Sequence, residues 1–405
     1  MHKIFKKLKS AIYLLKLFPL YFLYFVSRYF PRDNKIWIFG SYNDSFIDNS
    51  KYLFWYVSDN HSDIRAIWIT GSSNILQSLR IKGYKAFKRW SLKGLWYCLR
   101  GKVYIYSRYS CDINYWTSAG AIRINLWHGI PLKRIEYDIK VGKLYRLYNS
   151  RWTIIYRFIW PSKFQKPHYL LSTSAMVGDI FSGAFKIPKS KIINLGYPRC
   201  DHFFWTKEEL IKYVSLKSPE LLNLIYTLSS FKKALIYMPT FRENYKNDLR
   251  EYIDLEDLNA LLKEKHFLLF IKQHPNLRIE YKNEFSNIIF LSNDFDVYML
   301  LPFIEILITD YSSVMFDFIL LHKPVILLMH DLEKYRKSER GFYFEPEEIG
   351  FVVCRNYLEL KKIIDCESVE CKASEEGKYF SLWEGFDGKS SQKLAEFIKR
   401  LLYSN

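Results

Sequence analysis

Short runs of β-branched and aromatic residues alternate with helix-patterned stretches from Lys35 onward, and this rhythm limits the fold more than any other feature. In the first half the runs are Lys35–Phe39, Ile64–Ile69, Val103–Tyr106, Ile122–Trp127, Tyr169–Leu171 and Lys191–Leu195. In the second half they are Ala234–Met238, Phe267–Lys272, Ile288–Leu291, Ile306–Thr309, Val325–Met329 and Phe351–Cys354. Strands separated by helices build parallel sheets covered on both faces, and 405 residues are too many for one such core. The expected class is therefore α/β, with two doubly wound domains. The charged, helical stretch Thr206 to Phe231 carries no strand signal and is expected to connect them. The division predicted is 1–30 for an N-terminal segment, 31–205 and 206–232 for the first domain and linker, 233–385 for the second domain, and 386–405 for a final helix.

Lys and Arg outnumber Asp and Glu by 60 to 42, so the chain carries +18 at neutral pH. Such a field favours anionic partners without choosing among lipid, polymer and nucleic acid. The six cysteines show no C-x-x-C pairing, which points to reduced thiols and not to a disulfide framework. Met1 to Phe30 has no acidic residue, and Ile4, Leu8, Ile12 and Leu15 recur at helical spacing beside Lys3, Lys6, Lys7 and Lys9. The apolar run Leu17 to Val26, with Phe18, Tyr21 and Phe22, is too short to span a bilayer. A basic amphipathic segment lying on an anionic membrane surface is expected.

Polar motifs follow the strands, where doubly wound sheets collect ligands. Trp127-His128-Gly129-Ile130-Pro131 places a histidine in a tight turn, its ring either available as a general base or satisfied by a neighbouring carbonyl. Arg199, after Gly196-Tyr197-Pro198, could clamp a phosphate or pair with Asp201. Pro239-Thr240-Phe241-Arg242 offers a hydroxyl and a guanidinium, and Lys272 and His274 share one face of an extended segment. Finally Asp310-Tyr311-Ser312-Ser313 separates a strand from a helix with Val314, Phe318 and Leu321 at helical spacing. Two readings stand there: an anion site built on the helix start and its dipole, or ordinary capping by Asp310 or Ser312. No metal motif, Walker loop or dinucleotide fingerprint is present, so a resident cofactor is not expected.

Taken in order, W-H-G-x-P-L-K, G-Y-P-R-x-D, P-T-x-R, K-x-H-P-N and I-T-D-Y-S-S-V-x-F-D-F resemble the CDP-glycerol glycerophosphotransferases of teichoic acid and capsule synthesis. The resemblance continues through Asp331-Leu332-Glu333-Lys334-Tyr335 and Arg340-Gly341-Phe342-Tyr343-Phe344, and covers about Gly40 to Lys389. It implies a GT-B-like architecture, two Rossmann-like domains facing a central cleft, with the nucleotide donor held mainly by the second. It implies that His128 deprotonates the acceptor hydroxyl. Gly129, Arg199, Pro239, Thr240, Arg242, Lys272, His274, Ser312, Ser313 and Asp317 fall at positions expected to bind the donor. Ile130 stands where the family often has Thr, Gln273 replaces a usual apolar residue, and Phe241 with Glu243 replaces the commoner Trp and Asp.

The implied activity is transfer of glycerol phosphate from CDP-glycerol to a hydroxyl of a lipid-linked, anionic teichoic acid or capsule precursor, with CMP leaving. The expected location is the cytoplasmic face of the cell membrane, as a peripheral protein, with no nucleic acid partner. Two enzymatic alternatives keep the same fold: a ribitol-phosphate transferase using CDP-ribitol, and a glycosyltransferase using a nucleotide sugar. A non-enzymatic basic protein has the least support, because it gives no reason for polar motifs at successive strand ends.

Overall fold

The structure is a computed structural model that describes residues 17–240, 242, 248–273, 285–292, 295–338, 341–367 and 380–403. Lys3, Lys6, Lys7, Lys9 and His274 lie outside the described residues. The chain divides into two compact units. The first comprises residues up to His128, then Lys143–Arg199 and Lys389–Asn405; the second comprises Gly129–Gly142 and Cys200–Gly388.

The first unit holds β1 (Asp33–Gly40), β2 (Arg65–Thr70), β3 (Ala86–Lys88), β4 (Gly101–Tyr106), β5 (Ile122–Asn125), β6 (Tyr169–Ser172) and β7 (Ile192–Asn194) in one parallel sheet. Its order, β3-β2-β1-β4-β5-β6-β7, reverses direction where β1 meets β4. Ligands of open α/β sheets gather at such a reversal. Trp37, Ile38 and Phe39 of β1 are fully buried in succession, which is why this strand reads as an unbroken apolar run and not as an alternating one. The edge strand β3 escapes the sequence reading. It is three residues long and pairs only with β2, so no periodicity can show. The strand expected to reach Trp127 stops at Asn125, whose side-chain carbonyl accepts from the Trp127 N–H (2.9 Å) and turns the chain.

A helix over residues 17–29 belongs to this unit. Tyr24 stacks on Tyr115 at 4.7 Å, and Arg32 just beyond the helix donates to the carbonyls of Ser27 (3.0 Å), Gly101 (2.5 Å) and Thr117 (2.7 Å). The last helix, Ser390–Tyr403, also belongs to the first unit: Lys399 pairs with Asp63 (2.9 Å) and Ser390 donates to the Gly196 carbonyl (2.9 Å).

The second unit repeats the plan with β8 (Lys233–Met238), β9 (Phe267–Lys272), β10 (Ile288–Leu291), β11 (Ile306–Thr309), β12 (Val325–Leu328) and β13 (Val352–Cys354). Their order, β10-β9-β8-β11-β12-β13, is again wholly parallel and reverses at β8 and β11. Leu235, Leu269, Ile308 and Ile326 from four strands pack with Leu258 and Leu262 of the helix Leu255–Lys265 to form its core. The stretch after Thr206 is helical as the charge pattern predicts. Thr206 and Glu209 close a capping box on Lys207–Lys217, and the stretch forms part of this second unit. Both units thus have the Rossmann-like strand order expected from the sequence.

Candidate functional site

In the first unit the candidate side chain is His128, exposed three residues past the end of the short strand β5. The turn that carries it is unusual. Trp127 has φ 53° and Gly129 has φ 139°, so His128 sits between two residues in the left-handed half of backbone space. Glycine adopts such a φ freely, which accounts for Gly129; a tryptophan there is strained by about 1–3 kcal/mol and must be held.

Buried groups hold it. Asn49, fully buried, donates both amide hydrogens, to the carbonyls of Leu126 (3.3 Å) and Trp127 (3.0 Å). Arg199 donates to the carbonyl of His128 (3.1 Å) and pairs with Asp48 at 2.6 Å. The Trp127 ring lies 4.1 Å from the His128 ring and packs edge-on against Phe185 at 4.8 Å. The Arg199 guanidinium is buried against Asp48, itself at φ 68° at the start of the helix Asp48–Asn60.

In the second unit the motifs after β8, β11 and β12 meet at one buried cation. Arg242 forms salt bridges with Asp310 (2.9 Å) and Asp331 (2.8 Å), and its guanidinium lies 4.9 Å from the Tyr311 ring and 5.1 Å from the Tyr335 ring. Asp310 also accepts from the Thr240 N–H at 2.9 and 3.0 Å and from the Tyr311 N–H at 2.5 Å. Tyr311 stacks on Tyr335 at 3.8 Å and donates to Asp331 (3.1 Å). Burial works against the Arg242 charge, yet the two carboxylates outweigh it and hold the guanidinium above its usual pKa. Burial likewise opposes ionisation of Asp331, but the hydrogen bonds from Arg242 bring its pKa below the usual carboxylate range. Arg242 thus ties three strand ends together. It is 5% exposed on its side chain and engaged by two carboxylates.

The stretch around Ser312 and Ser313 differs from expectation. The helix after it, Val314–Phe318, is five residues long and passes into a 3₁₀ turn at Ile319–Leu321. Five aligned peptides sum to a smaller dipole than the longer helix expected through Leu321 would give. Asp310 is engaged with Thr240 and Arg242, and Ser313 occupies the cap position at φ −63° without a side-chain bond to the helix. What remains at Ser312 and Ser313 is a pair of half-buried hydroxyls and the N–H groups of a tight turn.

The other expected donor positions are distributed around these strand ends. Pro239 is buried after β8, and the Thr240 hydroxyl is shielded from solvent with no hydrogen-bond partner among the described residues. Lys272 closes β9, 7% exposed. Asp317 is fully buried and accepts from the Tyr298 hydroxyl at 2.6 Å. Among the described residues no group of three or more His, Cys, Asp or Glu side chains is placed to hold a metal ion. Asp48, Asn49, Asn125 and Tyr298 were not foreseen. Their partners are remote in sequence (Asn49 reaches Trp127 across 78 positions), so no local pattern marks them.

The chain matches the family model described as CDP-Glycerol:Poly(glycerophosphate) glycerophosphotransferase over residues 22–400. It is 31% identical to a teichoic acid poly(glycerol phosphate) polymerase of Bacillus spizizenii over 335 residues, 78% of this chain and 79% of that one. It is 28% identical to a teichoic acid glycerol-phosphate transferase of Staphylococcus aureus, over 91% of this chain and 93% of the other. A teichoic acid ribitol-phosphate primase of Bacillus spizizenii shares 30% identity over 70% of each chain. Among solved structures, the wall teichoic acid polymerase TagF superposes over all of this chain and 98% of its own, with TM-score 0.78 and 23% identity. The UDP-GlcNAc 2-epimerase of Neisseria meningitidis superposes with TM-score 0.53 at 14% identity, covering 90% of this chain and 99% of its own, a likeness of fold alone. With the match running through both units and through every strand-end motif described above, the chain belongs to the CDP-glycerol glycerophosphotransferase family of teichoic acid synthesis and is a transferase of phosphorus-containing groups.

Proposed function

We propose that this protein transfers glycerol phosphate from CDP-glycerol to a hydroxyl of a lipid-linked teichoic acid or capsule precursor. The acceptor oxygen attacks the phosphorus that bears glycerol, the bond from that phosphorus to the CMP oxygen breaks, and CMP leaves. A phosphodiester forms. His128 takes the proton of the attacking hydroxyl, which is the task an exposed imidazole on a rigid turn can perform near neutral pH. Lys272, Ser312, Ser313 and the Thr240 hydroxyl supply positive charge and donors for the diphosphate, and His274 joins them on the strength of the K-x-H motif. Positioning and charge stabilisation carry most of such a reaction. The observation that carries this reading is the family match across residues 22–400.

A second donor has specific support, because the ribitol-phosphate primase is 30% identical to this chain. The test supplies labelled CDP-glycerol and CDP-ribitol in parallel, with a lipid-linked acceptor, and follows CMP release and product extension. CMP from CDP-glycerol with an extended product is expected. Preference for CDP-ribitol selects the second reading, and folded protein that releases CMP from neither donor rules out both.

The same proposal places the protein on the cytoplasmic membrane surface through residues 17–29 and the segment before them. Among the described residues no helix is long and apolar enough to cross a membrane. Phe18, Phe22, Phe25 and Tyr29, spaced as one helical face, are all at least 60% exposed. Tyr21 is turned the other way: it stacks on Phe158 at 4.9 Å and donates to its carbonyl (2.8 Å), so it fastens the helix to the first unit and does not face outward. An exposed aromatic row beside basic residues suits the lipid interface. Substituting glutamate at Phe18, Phe22 and Phe25 together is expected to abolish co-sedimentation with phosphatidylglycerol vesicles while leaving the melting temperature unchanged. Undiminished sedimentation rules the anchor out.

A further inference from the structure

We infer that Asp48, Asn49 and Arg199 are positioning residues for His128, acting on the backbone of its turn and not on the donor. The inference rests on the reading of His128 as the base. Its ground is the pattern of hydrogen bonds on three successive carbonyls. Leu126 and Trp127 accept from Asn49, and His128 accepts from Arg199, so every carbonyl from the strand end through the base is fixed by a buried side chain. The N–H side is fixed too, since Trp127 donates to Asn125 (2.9 Å), and Asn125 is anchored by its own bond to the Arg108 carbonyl on the neighbouring β4 loop (3.0 Å).

These groups are themselves locked to one another. The Arg199 N–H donates to the Asn49 side-chain carbonyl (3.3 Å), and Asp48 accepts from both the Arg199 guanidinium (2.6 Å) and the Asn49 N–H (2.8 Å). The result is a closed circuit, Asp48–Asn49–Arg199, wrapped around the main chain of the base. Its physical purpose follows from the dihedral angles. Trp127 is held at φ 53°, a conformation an unsupported chain would leave, and relaxing it would swing the His128 ring away from its present direction. A buried hydrogen-bond network is the means by which a protein over-determines such a turn. The sequence resemblance puts Arg199 among donor contacts; the circuit gives it a different task.

The experiment measures kcat, KM for acceptor and the equilibrium affinity for CDP-glycerol in Asn49→Ala and Arg199→Lys, well below their melting temperatures. Arg199→Lys keeps the charge beside Asp48 but lacks the planar fork that also serves the His128 carbonyl. Misplacement of a reacting group by about 1 Å costs on the order of 10²-fold, so kcat is expected to fall about 10- to 100-fold while CDP-glycerol affinity stays within about twofold. In a His128→Ala background the residual rate is expected not to fall further when Asn49→Ala is added, because groups acting through one base are not additive. Loss of CDP-glycerol affinity in Arg199→Lys, or an unchanged kcat in both single variants, overturns the positioning role. Should His128→Ala retain the wild-type rate, the base itself is misassigned and the inference falls with it; if His128→Ala is inactive and Asn49→Ala and Arg199→Lys are both fully active, only the inference falls. If Asn49→Ala does not fold, Arg199→Lys carries the same kcat and affinity criteria alone.

Discussion

Replacing His128 with alanine is expected to lower transfer by about 10²- to 10⁴-fold, the usual span for a positioned general base, while CDP-glycerol still binds. The expectation has two parts with separate physical causes. The rate falls because the attacking hydroxyl loses its proton acceptor. Binding persists because the groups proposed to hold the diphosphate, Lys272, Ser312, Ser313 and Thr240, belong to the second unit, whereas His128 is the last residue of a first-unit segment. The measurements are single-turnover transfer from CDP-glycerol and calorimetric titration of the nucleotide. A variant that loses donor affinity in proportion to its rate would show His128 to be a ligand contact. The alanine change is also expected to be mild for folding, since the ring is exposed and the turn is held through main-chain carbonyls that the substitution leaves in place.

Replacing Arg242 with methionine is expected to destabilise the second unit by about 3–5 kcal/mol, the cost of leaving buried carboxylates without their cation. Asp310 is 1% exposed and Asp331 is 9% exposed on their side chains, so neither can regain water in exchange for the guanidinium. The loss is expected to appear in calorimetry as a lowered transition for one unit with the other unchanged, because a two-unit chain need not melt in one step. The pH dependence has a definite sign. Burial raises the Asp331 pKa, but Arg242 overrides it and leaves the group below its ordinary value, so the pair's stabilisation is complete at neutral pH. It is lost as pH falls from the ordinary carboxylate value through the lowered folded-state one. The wild type should therefore lose stability on acidification where Arg242→Met, already without the pair, loses less. Equal acid sensitivity in the two proteins would show that the triad does not set it.

The effect of Arg242→Met on activity bears on how family motifs are interpreted. P-T-x-R and I-T-D-Y-S-S both lie at strand ends, where donor contacts are expected. Within them, the Thr240 hydroxyl is buried with no hydrogen-bond partner among the described residues, whereas Arg242 and Asp310 form a buried ion pair. A motif can be retained for the scaffold it builds as well as for the ligand it touches. Arg199 in G-Y-P-R-x-D likewise forms a buried ion pair, with Asp48 in the first unit.

The sequence by itself determined the two parallel sheets, nearly all their strands and the position of His128, because a strand buried on both faces is written as a continuous local run of apolar residues and its end is marked by Gly, Pro and polar side chains. It also determined the family, since ordered motifs survive without any knowledge of contacts. It left out β3, which is too short to show a period, and it overstated the helix after Ser313, whose apolar spacing continues through Leu321 although regular helix ends at Phe318. Tertiary structure alone decided what the charged residues do. That Arg199 pairs with Asp48, that Arg242 pairs with Asp310 and Asp331, and that Tyr21 stacks on Phe158 depend on partners far along the chain (151 positions away for Arg199 and Asp48). A guanidinium has the same spelling in a phosphate clamp and in a buried ion pair; only the folded neighbours set which charge it must answer.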